Sequence, residues 1–347
     1  MMDTSKILFS VIALVVLFAV GLPAQDLVRQ ITDPDAAPPR IDERVGYRTD
    51  LLQDAKSRDD DFRSERWFAN LSVPIMGSSS GGIFVTPSFD YLKISTERDT
   101  LPDELVTAGL GAIGFIALDN PAKIRLGTYV QANIKSDTRE TDLSEIQYLA
   151  SVFAFLELNE EWHFSPGLGF VSDIAVGFLE NIPIPSLEIV FTPRTGFLGD
   201  INLLVAFGLP LNIVSFKPID WLTVNVFNLA GVLGNANATA EITDSVLLQA
   251  SFNSNQEVFN LNDDDYRKDS RLLRRELEAG LILEVRLGSN FSFNLGYGYV
   301  FQRRWIIGEA IDSLVEERLD VEPGHALSIT IGFGFSPAQA ATRPETQ

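Results

Sequence analysis

The sequence predicts an all-β chain folded as an antiparallel, up-and-down β-barrel that crosses a membrane. Three observations carry this. About a dozen segments alternate apolar and polar residues with a period of two, and each has its own apolar face the length of a tilted membrane strand. A secretory-type leader opens the chain, and no later apolar run is long enough for a spanning helix. Only helices and closed barrels satisfy their backbones in lipid, so a membrane protein of this composition must be a barrel.

The leader consists of Lys6, an apolar run from Ile7 to Leu22, and then Pro23-Ala24. This is the order of a signal peptide, residues 1–24, cleaved after Ala24. Residues 25–42 are polar, with Pro34, Pro38 and Pro39, and read as a flexible periplasmic leader. The barrel is assigned to 43–335, and a flexible tail to 336–347. The segment 43–52 supplies a first strand, with Val45, Tyr47 and Thr49 on one face. Trp67 to Ile75 and Ile83 to Tyr91 follow. In 123–135, Leu126, Thr128, Val130 and Ala132 share one face, while Arg125, Tyr129, Gln131 and Asn133 share the other. Further strands fall near 145–158, 161–173, 185–194, 200–208, 211–217, 220–230, 275–287, 290–304 and 324–335. With a strand opened by Glu104-Leu105 the count is about 14. It drops to 12 if the 200–217 pair does not span.

The last strand gives the clearest alternation. Leu327, Ile329, Ile331, Phe333 and Phe335 point to lipid, and Ala326, Ser328, Thr330, Gly332 and Gly334 point to the lumen. It is expected to pair with the first strand and with 291–304. Short turns such as Gly288-Ser289-Asn290 then lie in the periplasm, and the polar tract 231–274 lies outside. Within that tract, 231–253 is expected as an extra hairpin that protrudes. Arg303-Arg304-Trp305 reads as an anchor at the outer rim.

The 347 residues carry a formal net charge of −20 and no Cys. Acidity argues against nucleic acid, whose phosphates demand Lys and Arg. The absence of Cys excludes a disulfide framework and thiolate metal sites. The acidic tract Asn262-Asp263-Asp264-Asp265 lacks the glycine and distal glutamate of a calcium loop and reads as a solvated loop. No metal or cofactor is expected.

Several short motifs recur in a set order: Leu71-Ser72-Val73-Pro74-Ile75, Phe89-Asp90-Tyr91-Leu92, Thr100-Leu101-Pro102-Asp103-Glu104-Leu105, Phe164-Ser165-Pro166-Gly167-Leu168-Gly169-Phe170, Ile182-Pro183-Ile184-Pro185 and Phe216-Lys217-Pro218-Ile219-Asp220-Trp221. This order resembles an uncharacterised family of bacterial outer-membrane barrels, catalogued as a domain of unknown function. The resemblance covers 43–335. It implies an outer-membrane barrel and carries over no catalytic or binding residue.

By strand parity the lumen receives Asp90, Lys123, Arg125, Gln131, Asn133, Glu157, Glu276, Glu278, Glu284, Arg286, Asn294 and Gln302. Charges of both signs suit a selective pore with a transverse field, or a set of pairs that braces a narrow lumen. A porin-like channel for a small solute is the first functional expectation. The second is a lipid-modifying enzyme. His163 and Ser165, two apart on a strand, share a face, so imidazole and hydroxyl can act together. The third is a structural or adhesive barrel acting through acidic outer loops. The expected partners are membrane lipid, lipopolysaccharide phosphates, the outer-membrane assembly machinery and a small solute.

Overall fold

The computed structural model describes residues 41–50, 53–54, 61–78, 81–96, 101–118, 124–137, 146–171, 183–209, 211–229, 233–261, 270–288, 291–310 and 313–335. The signal peptide, most of the leader, the acidic tract 262–269 and the tail 336–347 lie outside these residues.

Nineteen β-segments follow in chain order. They are β1 Ile41–Asp50, β2 Gln53–Asp54, β3 Asp61–Asn70, β4 Val73–Ser78, β5 Gly81–Thr96, β6 Glu104–Ala117, β7 Arg125–Ser136, β8 Gln147–Glu157, β9 Trp162–Val171 and β10 Ile184–Phe191. After a five-residue helix, α1 Gly196–Asp200, come β11 Leu204–Leu209, β12 Leu211–Ile219, β13 Leu222–Leu229, β14 Leu233–Thr243, β15 Val246–Asn260, β16 Arg271–Leu287, β17 Phe291–Ala310, β18 Ser313–Val321 and β19 Gly324–Phe335. Three of these continue a neighbour. β1 and β2 both pair with β3, β3 and β4 with β5, and β18 and β19 with β17. The last two interruptions fall at Leu71-Ser72 and Glu322-Pro323, each beside a proline, which has no N–H for a ladder. Nineteen segments less three leave 16 passes, each antiparallel to the next. The wall closes where β19 pairs with β1, from Ile41↔Phe335 to Asp50↔Ala326.

The expected count of about 14, or 12, is therefore corrected to 16. The 200–217 pair does span, as β11 and β12, with β11 starting only at Leu204 behind α1. The expected protruding hairpin at 231–253 is part of the wall: β14 pairs with β13 on one side and β15 on the other. Its outward positions are Gly234, Ala236, Ala238, Ala240 and Ile242, too small to give a strong apolar signal. Its inward face carries amides instead. Ser215 Oγ donates to Asn225 Oδ1 at 2.7 Å, Asn225 Nδ2 to Asn237 Oδ1 at 3.0 Å, Asn237 Nδ2 to Asn235 Oδ1 at 3.0 Å, and Asn235 Nδ2 to Asn253 Oδ1 at 2.5 Å. This chain of amides crosses four passes.

The two faces of the wall differ as the alternation demands. Leu110, Val152, Leu168, Phe207, Leu281, Leu295 and Ile329 all stand exposed on the outside. A soluble protein does not leave such a band in water, and a bilayer supplies its solvent. On β16 the outward row runs Leu277, Ala279, Leu281, Leu283, Val285, Leu287 before Arg275 begins the rim. On β17 Tyr299 and Phe301 stand nearer that rim and Tyr297 lies opposite Leu281, with His325 stacked on Tyr297 and within 2.6 Å of its hydroxyl. Leu281 lies mid-row and is 51% exposed. Leu281→Arg is expected to cost about 2–4 kcal/mol of folding into a bilayer. A urea titration in lipid vesicles measures this, and a loss near zero would place Leu281 away from lipid.

The wall is uneven in height. β15, β16 and β17 have 15, 17 and 20 residues, whereas β10 to β13 have 8, 6, 9 and 8. The tall side rises past the apolar band at the loop end, the end opposite the Ile41 and Phe335 termini.

Candidate functional site in the barrel lumen

Inward-pointing residues of the tall side meet in a belt of ion pairs near the loop end. Arg303 is 0% exposed. It donates to Asp50 Oδ2 at 2.5 Å and to Glu276 Oε2 at 2.8 Å. Ser64 hydrogen-bonds the same Asp50 carboxylate. Arg48 reaches Glu278 at 2.6 Å and Glu276 at 2.9 Å. Arg274 bridges Glu257 at 2.8 Å and Glu276 at 2.7 Å. Arg66 grips Asp90 through Nε, at 2.7 and 3.0 Å, and reaches Glu257 at 3.2 Å. Arg66 sits on β3 and Glu257 on β15, five passes apart around the ring, so this bond crosses the lumen. Charges in low dielectric hold only when paired in this way.

An apolar plug lies above the belt. Phe62, Leu92, Ile94, Leu105, Phe259, Leu272, Trp305 and Ile307 pack together inside the loop end. The guanidiniums below also serve the plug: Arg303 lies 5.7 Å from the Phe62 ring centre and Arg274 5.5 Å from that of Trp305. At the same level Asn260 of β15 pairs with Ser136 of β7. These strands are eight passes apart in a ring of 16, so opposite walls touch and the loop end is pinched.

Arg303 and Trp305 correct the expected rim anchor. On β16 Leu277 pairs with Gln302 and Glu278 with Val300, so Phe301 is bulged out. The extra residue reverses the parity beyond it. Arg303 and Trp305 turn inward, and only Arg304 stays outside, bonded to Asp320 at 2.6 Å.

By register Asp90, Arg125, Gln131, Asn133, Glu157, Glu284 and Arg286 lie on the inner face, in four groups. Gln302, expected there too, lies past the Phe301 bulge opposite the outward Leu277, and Lys123 lies outside the described residues. Asp90 belongs to the belt. Glu284 and Arg286 pair with each other at 2.8 Å nearer the turn end. Gln131 and Asn133 are buried on β7, joined at 2.7 Å, with Tyr129 bonded to Gln131. Arg125 lies opposite Phe155, and Glu157 opposite His163, at the turn end of the short side. There a second inner cluster, Phe155, Val190, Leu204, Ala206 and Ile213, makes the lumen apolar. His163 and Ser165 are buried on this inner face, opposite Val190 and Glu188, while Trp162 and Leu168 face outward. The His163 and Ser165 side chains both face the interior rather than lipid.

Between the belt and the turn end the tall side encloses a cavity of about 340 Å³. Arg48, Arg66 and Asp90 border its roof. Its walls carry Asn70, Gln249, Ser251, Asn253, Asn255, Asn294, Ser328 and Thr330, with Phe68 and the small Gly296, Gly298 and Ala326.

The belt residues absent from the expected lumen set are Arg48, Asp50, Ser64, Arg66, Glu257, Arg274 and Arg303. Parity alone marks Arg48 and Arg66 as inward. Nothing in one strand shows what a residue meets across the lumen, and no sequence signal marks the Phe301 bulge.

No protein-family model matches this chain, and no curated protein sequence does. Its fold is similar to an outer-membrane channel from Pseudomonas putida F1, at 12% identity and a TM-score of 0.37, over 87% of this chain and 98% of that one. The TodX monoaromatic hydrocarbon channel (a deletion mutant) gives 8% identity and a TM-score of 0.40, covering 85% and 90%. The translocator domain of the autotransporter NalP from Neisseria meningitidis gives 12% and 0.31, covering 90% and 96%. The closed wall and its exposed apolar band are by themselves those of a membrane β-barrel.

Proposed function

We propose that this barrel is a porin-like passage for a small solute, drawn in its closed form and working without turnover. One observation carries the reading: a polar-walled cavity inside the wall, stopped on the loop side by ion pairs that cross the lumen. A barrel braced for strength alone has no use for an interior chamber of amides and hydroxyls. Purified protein in a planar bilayer is expected to give discrete conductance steps at raised voltage. A bilayer that stays sealed over folded protein overturns the reading.

The family resemblance of the motifs supports the barrel alone and adds neither a solute nor a residue to this reading. The rim adds a partner. Arg304 and Arg318 share Asp320 on the outer surface, and Arg275 lies directly opposite Arg304. This outer cluster of three arginines fits contact with phosphates of lipopolysaccharide. Phosphate in the lipid retained through purification is the measure, and its loss in Arg304→Ala is the expected outcome.

A further inference from the structure

We infer that the cavity beneath the belt selects a neutral, polyhydroxylated solute of sugar type. This rests on the channel reading above and names its substrate class.

The charges around the cavity are already engaged. Arg48 is held by Glu276 and Glu278, Arg66 by Asp90 and Glu257, and Glu284 by Arg286. An anionic solute has to displace a carboxylate to reach either arginine, and a cationic one has to displace an arginine to reach Asp90, Glu278 or Glu284. What the walls offer instead are groups that both donate and accept: Asn70, Gln249, Ser251, Asn255, Ser328 and Thr330. A solute matched to them must donate and accept at several points while carrying no net charge.

Asn294 points to a ligand independently. It is 7% exposed, it lines the cavity, and its Oδ1 has no hydrogen-bond partner. A buried acceptor of this kind calls for a donor, and a solute hydroxyl supplies one. Phe68 adds an apolar ring to the same wall. A sugar ring has the matching character, with hydroxyls at its edge and a C–H face. The volume, about 340 Å³, sits at the small end of ligand pockets, ~300–1,000 Å³.

The test is swelling of proteoliposomes holding the full-length barrel, run beside a Glu257→Gln form to widen the passage. Glucose and sucrose are compared with glucose 6-phosphate and glucosamine. Glucose is expected to enter about tenfold faster than its two charged counterparts, the ratio that one or two hydrogen bonds supply. Asn294→Leu is expected to erase most of that preference while ion conductance persists, with Asn294→Ser between the two. Asn255→Ala serves in its place if the leucine form fails to fold, as judged by heat-modifiability on gels. Equal entry of neutral and charged sugars, or preference undiminished in the Asn294 and Asn255 variants, overturns this inference and leaves the channel. No entry of any solute and no conductance, in either form, overturns the channel itself and this inference with it.

Discussion

Arg303→Met is expected to lower barrel stability by about 3–5 kcal/mol, the cost of leaving buried charge unpaired. The side chain is fully buried, and its guanidinium is the common partner of Asp50 and Glu276. Methionine fills much of the same volume but neutralises neither acid. Asp50 keeps Ser64 and a long contact to Arg48 at 3.5 Å, and Glu276 keeps Arg48 and Arg274. The belt is therefore weakened rather than dissolved, and the barrel still closes. Urea unfolding in detergent micelles, followed by heat-modifiability, measures the loss. Arg304→Met, one residue away but outside the wall, is expected to cost well under half as much, because an exposed ion pair contributes little. Equal losses for the two would mean that the bulge at Phe301 does not exist.

Glu257→Gln is expected to raise single-channel conductance or open probability about tenfold, the change that roughly 1.4 kcal/mol lost from a closed state produces. Glu257 receives Arg66 from across the lumen and Arg274 from the next strand, and Lys135 of β7 interacts with it electrostatically. It is thus the carboxylate that ties three walls together beside the Asn260–Ser136 contact. Glutamine keeps the shape and one acceptor oxygen but removes the charge. The walls on either side of the pinch then lose most of their mutual attraction, while each strand keeps its ladder. Planar-bilayer recording reads the result. Conductance unchanged from the parent would show that the apolar plug alone holds the mouth shut.

Much of the barrel is legible from alternation because lipid and lumen place opposite demands on adjacent residues. Leu327 to Phe333 against Ala326 to Gly332 shows it, and so does Leu126 to Ala132 against Arg125 to Asn133. The pairing of the last strand with 291–304 and with the first strand followed from closure. Among the expected lumen residues Gln302 is an exception, put on the outer row by the Phe301 bulge. Strand number was harder to read, because β14 faces outward with alanines and inward with amides. Its membrane character comes from neighbours on both sides, not from its own hydropathy. The belt was hidden for a different reason. An arginine on β3 and a glutamate on β15 are 191 residues apart in sequence, and only the finished curvature of the wall brings them together. The bulge was invisible because Val300-Phe301-Gln302 carries no glycine or proline to announce it.

The low wall formed by β10 to β13 sets a condition on the surrounding bilayer. β11 has six residues, which at about 3.3 Å each and a tilt near 40° cover roughly 15 Å. A hydrocarbon core of about 30 Å does not fit that height. At the turn end α1 offers Phe197, 74% exposed, beside Leu198, which extends the greasy surface past the strand. The remaining mismatch falls on the lipid, which thins along this arc while it keeps full depth against β15 to β17. The protein thus carries a permanent dent in the membrane on one side, and short-chain lipids and other low-walled proteins will gather along that side first.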